Sequence, residues 1–229
     1  MDSLTCFRWT VAALLISALP PLTTVAWSTS TIACHCFQDR QFDPARPGAV
    51  DPYLLATVQN RLIGYLYAQP RQEIVRSKMG GVSGDRLWIA SQVAVAAGRS
   101  TADALQARAA AGSWRAALLR LGADPERLGP TFMARLAAGA EDAALAAAVV
   151  DRVLEARLGV GGETMAQLRH AGVSDREVVA AVVFGRMAGR DPEQVHRQAG
   201  SLGSWGQWLV EAGFTLEQVD AWLAGALRP

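Results

Sequence analysis

With 229 residues and a formal net charge of +1, the chain has room for one ordinary domain, or two small ones, around a real core. So balanced a charge gives no reason to expect a polyanion or a strongly acidic partner. Alanine and the aliphatics dominate, and β-branched runs are scarce outside the N-terminus, which predicts an all-α protein of short helices. Lys78 is the only lysine. That arginine bias, together with the alanine excess, reads as GC-rich coding rather than function.

Residues 1–33 read as a cleavable export signal. One arginine, Arg8, precedes the apolar stretch Val11–Leu19, which breaks at Pro20-Pro21. That run falls short of the roughly 20 apolar residues a membrane span needs. Small residues at Thr24/Ala26 and Thr31/Ala33 offer cleavage after Ala26 or Ala33. The mature chain then starts near Cys34 and works outside the cytoplasm, in the periplasm or beyond. A lipoprotein is the rival account: Ala33 is the small residue that lipid attachment at Cys34 requires, although Thr31 stands where a bulkier aliphatic is usual. The membrane would then be reached only through the signal or that lipid.

Cleavage removes Cys6 and leaves Cys34-His35-Cys36 as the mature thiols. Three readings compete for them. Two nearby cysteines in an oxidising compartment end as a disulfide, here in a small ring. A strained bridge is easily reduced and suits redox chemistry. Cys34, His35 and Cys36 are also the candidate metal ligands, although three adjacent residues cannot all face one tetrahedral ion comfortably. No cofactor is called for elsewhere in the sequence.

Cys34-His35-Cys36-Phe37, Arg40, Phe42-Asp43-Pro44 and Asp51-Pro52-Tyr53 resemble the start of a group of exported bacterial helical proteins. The likeness covers about forty mature residues and, loosely, the Gly-Ser-Trp corners behind them. The group has no established activity, so the resemblance implies export and helical architecture and assigns no catalytic residue.

Residues 34–50 contain Asp43-Pro44 and Arg46-Pro47, and proline holds its predecessor extended, so this stretch is expected to be a strap. Asp51-Pro52 predicts the start of an N-terminal helix over 51–70, with Asp51 as its N-cap and Leu55, Val58, Leu62, Ile63 and Leu66 as its stripe. A first helical unit follows over 71–140. Its helices open at Ser83, Ser100, Ser113 and Asp124, and stop at Gly98, Gly112 and Gly122. Residues 141–162 are expected to form a bridging helix and its exit, with Glu141 and Asp142 at the positive end. A second unit over 163–229 repeats the grammar at Ser174/Glu177, Asp191-Pro192 and Thr215/Gln218.

The two units share more than grammar. Gly112-Ser113-Trp114 and Gly203-Ser204-Trp205 stand 91 residues apart. Over 81–122 against 172–213 there are 12 identities in 42 ungapped pairs. Most fall on glycines, caps and tryptophan rather than on the abundant alanine, which predicts a duplication. At each corner glycine ends one helix, serine caps the next, and Trp114 or Trp205 fills the junction as a core anchor. The functional alternative is an exposed aromatic surface in the second unit, formed by Trp205, Trp208 and Trp222.

These features favour a non-catalytic binding or structural protein of the cell envelope, its partner a protein or another envelope component. The first alternative is a small redox or metal protein built on Cys34-His35-Cys36. The second is a helix-turn-helix-like nucleic-acid binder. Balanced charge argues against the latter, as does the exchange of Arg115 and Arg120 for Gly206 and Glu211 between units.

Overall fold

Capping side chains set where the helices begin, as the sequence predicts. Ser83, Ser100, Ser113, Ser174, Ser204 and Thr215 each accept a backbone amide from three residues on. The computed structural model describes residues 39–227. Within them the fold is all-α, thirteen helices and no strand. They are α1 (Asp51–Leu66), α2 (Arg71–Met79), α3 (Gly84–Ala97), α4 (Thr101–Ala111), α5 (Trp114–Leu121), α6 (Pro125–Leu128) and α7 (Pro130–Ala137), then α8 (Asp142–Leu158), α9 (Gly162–His170), α10 (Asp175–Ala188), α11 (Pro192–Leu202), α12 (Trp205–Glu211) and α13 (Leu216–Ala226). The expected signal at 1–33 and the Cys34-His35-Cys36 cluster lie outside the described residues. From Asp39 the strap runs without regular structure into a 3-10 turn, Pro47–Val50.

Two expectations are corrected. The single helix predicted after Asp124 is broken into α6 and α7. Gly129 sits between them at φ +87° and ψ 158°, and Pro130 has no amide to carry the first helix onward. A side chain at Gly129 would collide with the guanidinium of Arg152. The second correction concerns Asp51, which does not cap its own helix. Val50 is the N-cap residue of α1 and makes no side-chain cap, while the Asp51 carboxylate turns to a helix far along the chain.

The core lies around α3 and α10. Val178 through Gly185 form an unbroken buried run, so α10 is covered on every face. Such a helix reads as continuously apolar instead of striped. In α3 the unbroken buried run is Leu87 to Ser91. Helix α8 lies along α3 and α1 along α10, while α7 covers α8 and α13 covers α1. Helices α4 and α5 fold back on α3, as α11 does on α10 with α12 behind it. Each fully buried Val, Leu or Phe stabilises this arrangement by about 1.5–3 kcal/mol.

Candidate functional site

The second Gly-Ser-Trp corner is buried. Ser204 Oγ accepts the Gln207 amide at 2.8 Å. The amides of Trp205 and Gly206 donate to the two carboxylate oxygens of Asp51 at 3.0 and 2.8 Å. Three otherwise orphaned amides at the start of α12 are therefore satisfied, two of them by a carboxylate about 150 residues earlier in the chain. Burial raises the Asp51 carboxyl above its ordinary value, against the pull of the Gly206 and Trp205 amides. The strap closes the corner from outside. A Cβ at Gly206 would collide with Val50 Cγ1 and lie 3.2 Å from the Phe42 ring, so only glycine fits there.

The aromatic residues of this corner are core. Trp205 is 6% exposed and Trp208 2%. Trp208 stacks on Phe184 at 5.4 Å and 11°, and Trp205 tilts against Phe184 and His196 at 6.0 Å each. Trp222 is half-buried against the core. The alternative of an exposed aromatic surface formed by Trp205, Trp208 and Trp222 is therefore corrected, because the Trp205 and Trp208 rings are buried and Trp222 is half-buried.

The first corner uses the same backbone device with different support. Ser113 caps α5 from an exposed position, accepting the Ala116 amide at 3.2 Å. Trp114, 3% exposed, donates its indole N–H to Asp142 at 3.0 Å. Asp142 also pairs with Arg86 at 2.7 Å, and the Arg108 guanidinium lies 5.8 Å from the Trp114 ring centroid. Arg115 donates to the Leu136 and Ala137 carbonyls at the end of α7. That guanidinium ties the start of α5 to the end of α7.

A recess of about 600 Å³ opens between α6, α7, α8 and α9. Leu128, Phe132, Ala148 and Met165 supply apolar lining, with Glu126, Arg152, Glu155 and His170 among the charged and polar groups around them. Arg135 donates to the Ala144 carbonyl at 2.6 Å and Arg152 to the Arg127 carbonyl at 2.7 Å, so these arginines tie helices together. Arg169 joins Asp151 at 2.6 Å and Asp175 at 2.5 Å. Burial raises the Asp175 carboxyl, reinforced by Asp85 and Asp151 nearby. Sequence reasoning missed this recess, though a signal was present. Asp151, Arg152 and Glu155 fall off the apolar rows of α8, and polar residues in a largely apolar helix mark the side facing solvent or a cleft.

Among the described residues no His, Cys, Asp or Glu cluster could hold a metal ion, and no helix there is long and apolar enough to cross a membrane. The candidate ligands Cys34, His35 and Cys36 are outside that range. Compared with known proteins, the chain matches no family model, no curated protein and no solved structure.

Proposed function

We propose that the protein is an exported helical scaffold of the cell envelope that acts by presenting a binding surface, not by catalysing a reaction. The scaffold is read as two copies of one helical unit, on the strength of their shared corners. The observation that carries the functional reading is where the chemistry-bearing side chains are used. Asp51 holds the start of α12, Asp142 holds Trp114 and Arg86, and Arg169 is shared between Asp151 and Asp175. The hydrogen-bonding capacity of these groups is committed to holding helices in place. The open recess between α6 and α9, with apolar lining and charges of both signs, is the concave surface to which this reading assigns the partner.

The test is affinity capture from envelope extracts on immobilised mature chain, with an Ala166→Arg variant beside it. Ala166 is exposed and lines the recess, so arginine there fills the opening without entering the core. A partner held by the native chain and lost by the variant supports the reading. No stable partner, or one indifferent to the substitution, weakens it. Intact mass of the chain from its host would settle export separately, by locating the cleavage site and any acyl group.

A further inference from the structure

We infer that the chain is a covalently fused pseudo-dimer: two helical units, offset by 91 residues, face each other across an approximate two-fold axis, each packing its first helix on the third helix of the other. The helix read from sequence as a bridge, α8, is the first helix of the second unit.

The register carries the first part of the argument. Adding 91 to the bounds of α1, α2, α3 and α4 reproduces α8, α9, α10 and α11 to within one residue, and α5 and α12 share their first position. The equivalence extends beyond the corners into α1. Asp51, Leu54, Ala56, Val58 and Arg61 recur in α8 as Asp142, Leu145, Ala147, Val149 and Arg152. Helices α2 and α9 share no residue in that register, yet Lys78 bonds Asn60 where Arg169 bonds Asp151. The same tie between the first and second helices is kept in different chemistry.

Reciprocity carries the second part. Helix α1 lies on α10 and α8 lies on α3, so each unit's first helix crosses to the opposite unit, while α8 also touches α10 within its own unit. Asp51 reaches the second corner while Asp142 reaches the first. Arg61 donates to the Leu216 carbonyl of α13, and Arg152 to the Arg127 carbonyl of α6. A tandem array related by translation would send contacts one way along the chain. Contacts that run from i to j and again from j to i are the mark of an isologous, two-fold interface. The surface between the halves is therefore self-complementary, and its partner is a second copy of the same unit supplied on the same chain.

The test is a helix graft in the full chain. Residues 51–63 are replaced by the sequence of 142–154, and reciprocally 142–154 by that of 51–63. A control puts the sequence of 146–158 at 51–63, which keeps the alanine-rich composition but moves Asp and Arg out of register. Both in-register grafts are expected to melt cooperatively within about 10 °C of the native chain. The displaced graft is expected to lose cooperative melting or to fall at least twice as far. Equal behaviour of in-register and displaced grafts, whether all fold or none does, overturns the inference.

Discussion

The two Gly-Ser-Trp corners share a backbone and differ in what holds them. At the second, Ser204 is buried, Asp51 takes two amides, and Trp205 rests among Phe184 and His196 under the strap. At the first, Ser113 is exposed, and Trp114 is held by a hydrogen bond to Asp142, an ion pair behind that, and Arg108 near its ring. The residue after each tryptophan records the difference. It is Gly206 where the strap presses close and Arg115 where a guanidinium binds α7. One local device can thus be stabilised by packing or by polar ties, and the two should fail differently.

Removing the indoles gives the largest effects. Trp205→Ala is expected to cost about 3–5 kcal/mol, at the upper end of that range, because the cavity opens beside Phe184 and loosens Trp208. Trp114→Ala should fall at the lower end, since it also removes an indole donor whose partner, Asp142, keeps Arg86. Denaturant titrations of both variants check the order. Equal loss would mean that the surroundings of the two rings do not matter, and no loss at either would remove the corners as anchors.

The following position tests the strap. Gly206→Ala should destabilise by about 1–3 kcal/mol by forcing Val50 and Phe42 outward. Arg115→Ala, removing bonds to the last carbonyls of α7, should cost about 1 kcal/mol. If Gly206→Ala melts like the native chain, the strap is not seated against α12 in solution. Limited proteolysis near Phe42 would report the same thing independently.

Asp51 and Asp142 occupy matching places and do different work. Asp51→Ala leaves the Trp205 and Gly206 amides buried without partners, for about 1–3 kcal/mol. Asp51→Asn keeps one acceptor oxygen and should recover part of that. Asp142→Ala gives up a half-buried indole bond and an exposed ion pair, together about 1 kcal/mol. Added salt should weaken the Asp142 contribution and leave Asp51 nearly unchanged, because screening acts on exposed charges first. A salt response of equal size at both sites would contradict the contrast.

Much of this fold could be read from the chain because its helices are bounded by local chemistry. Ser100 with Asp103, Ser174 with Glu177 and Asp191 before Pro192 act on amides two or three residues away. Asp51 marks the limit of that reading. An acid before proline is a good cap for its own helix by local rules, and only tertiary approach of α12 redirects it. The break at Gly129 is similar, since the glycine is required by Arg152 arriving from another helix. The tryptophans illustrate the same limit from the other side. Spacing placed three in the second unit, but their burial depends on Phe184 and on the covering of α10, which spacing does not encode. The recess between α6 and α9 joins residues from four helices and so has no compact signature.

Acidity should distinguish the centre of the molecule from its caps, with the smallest effect of the set. Burial raises the carboxyls of Asp51, Asp85 and Asp175. Asp85 faces Arg176, Asp142 and Lys78, while Asp175 faces Arg169, Asp85 and Asp151. A raised carboxyl keeps its proton in the folded chain at a pH where the unfolded chain, with a value of about 3.9, has released it. Folding then binds protons in that window, so stability falls as pH rises through the raised values and is regained on acidification. The caps act oppositely. The Ser100 hydroxyl and amide hold Asp103 below its ordinary value, as its own backbone amide and Thr215 hold Glu217. Their contribution is present above the unfolded value and is lost as pH falls toward the lowered ones. The melting midpoint should therefore rise modestly as pH falls from neutral toward the unfolded carboxyl value of about 3.9, then drop at lower pH as the cap carboxylates are protonated. In an Asp85→Asn/Asp175→Asn variant the rise should shrink while the acid drop remains. A rise of undiminished size in that variant would move its origin to the corners, with Asp51 as the remaining raised group.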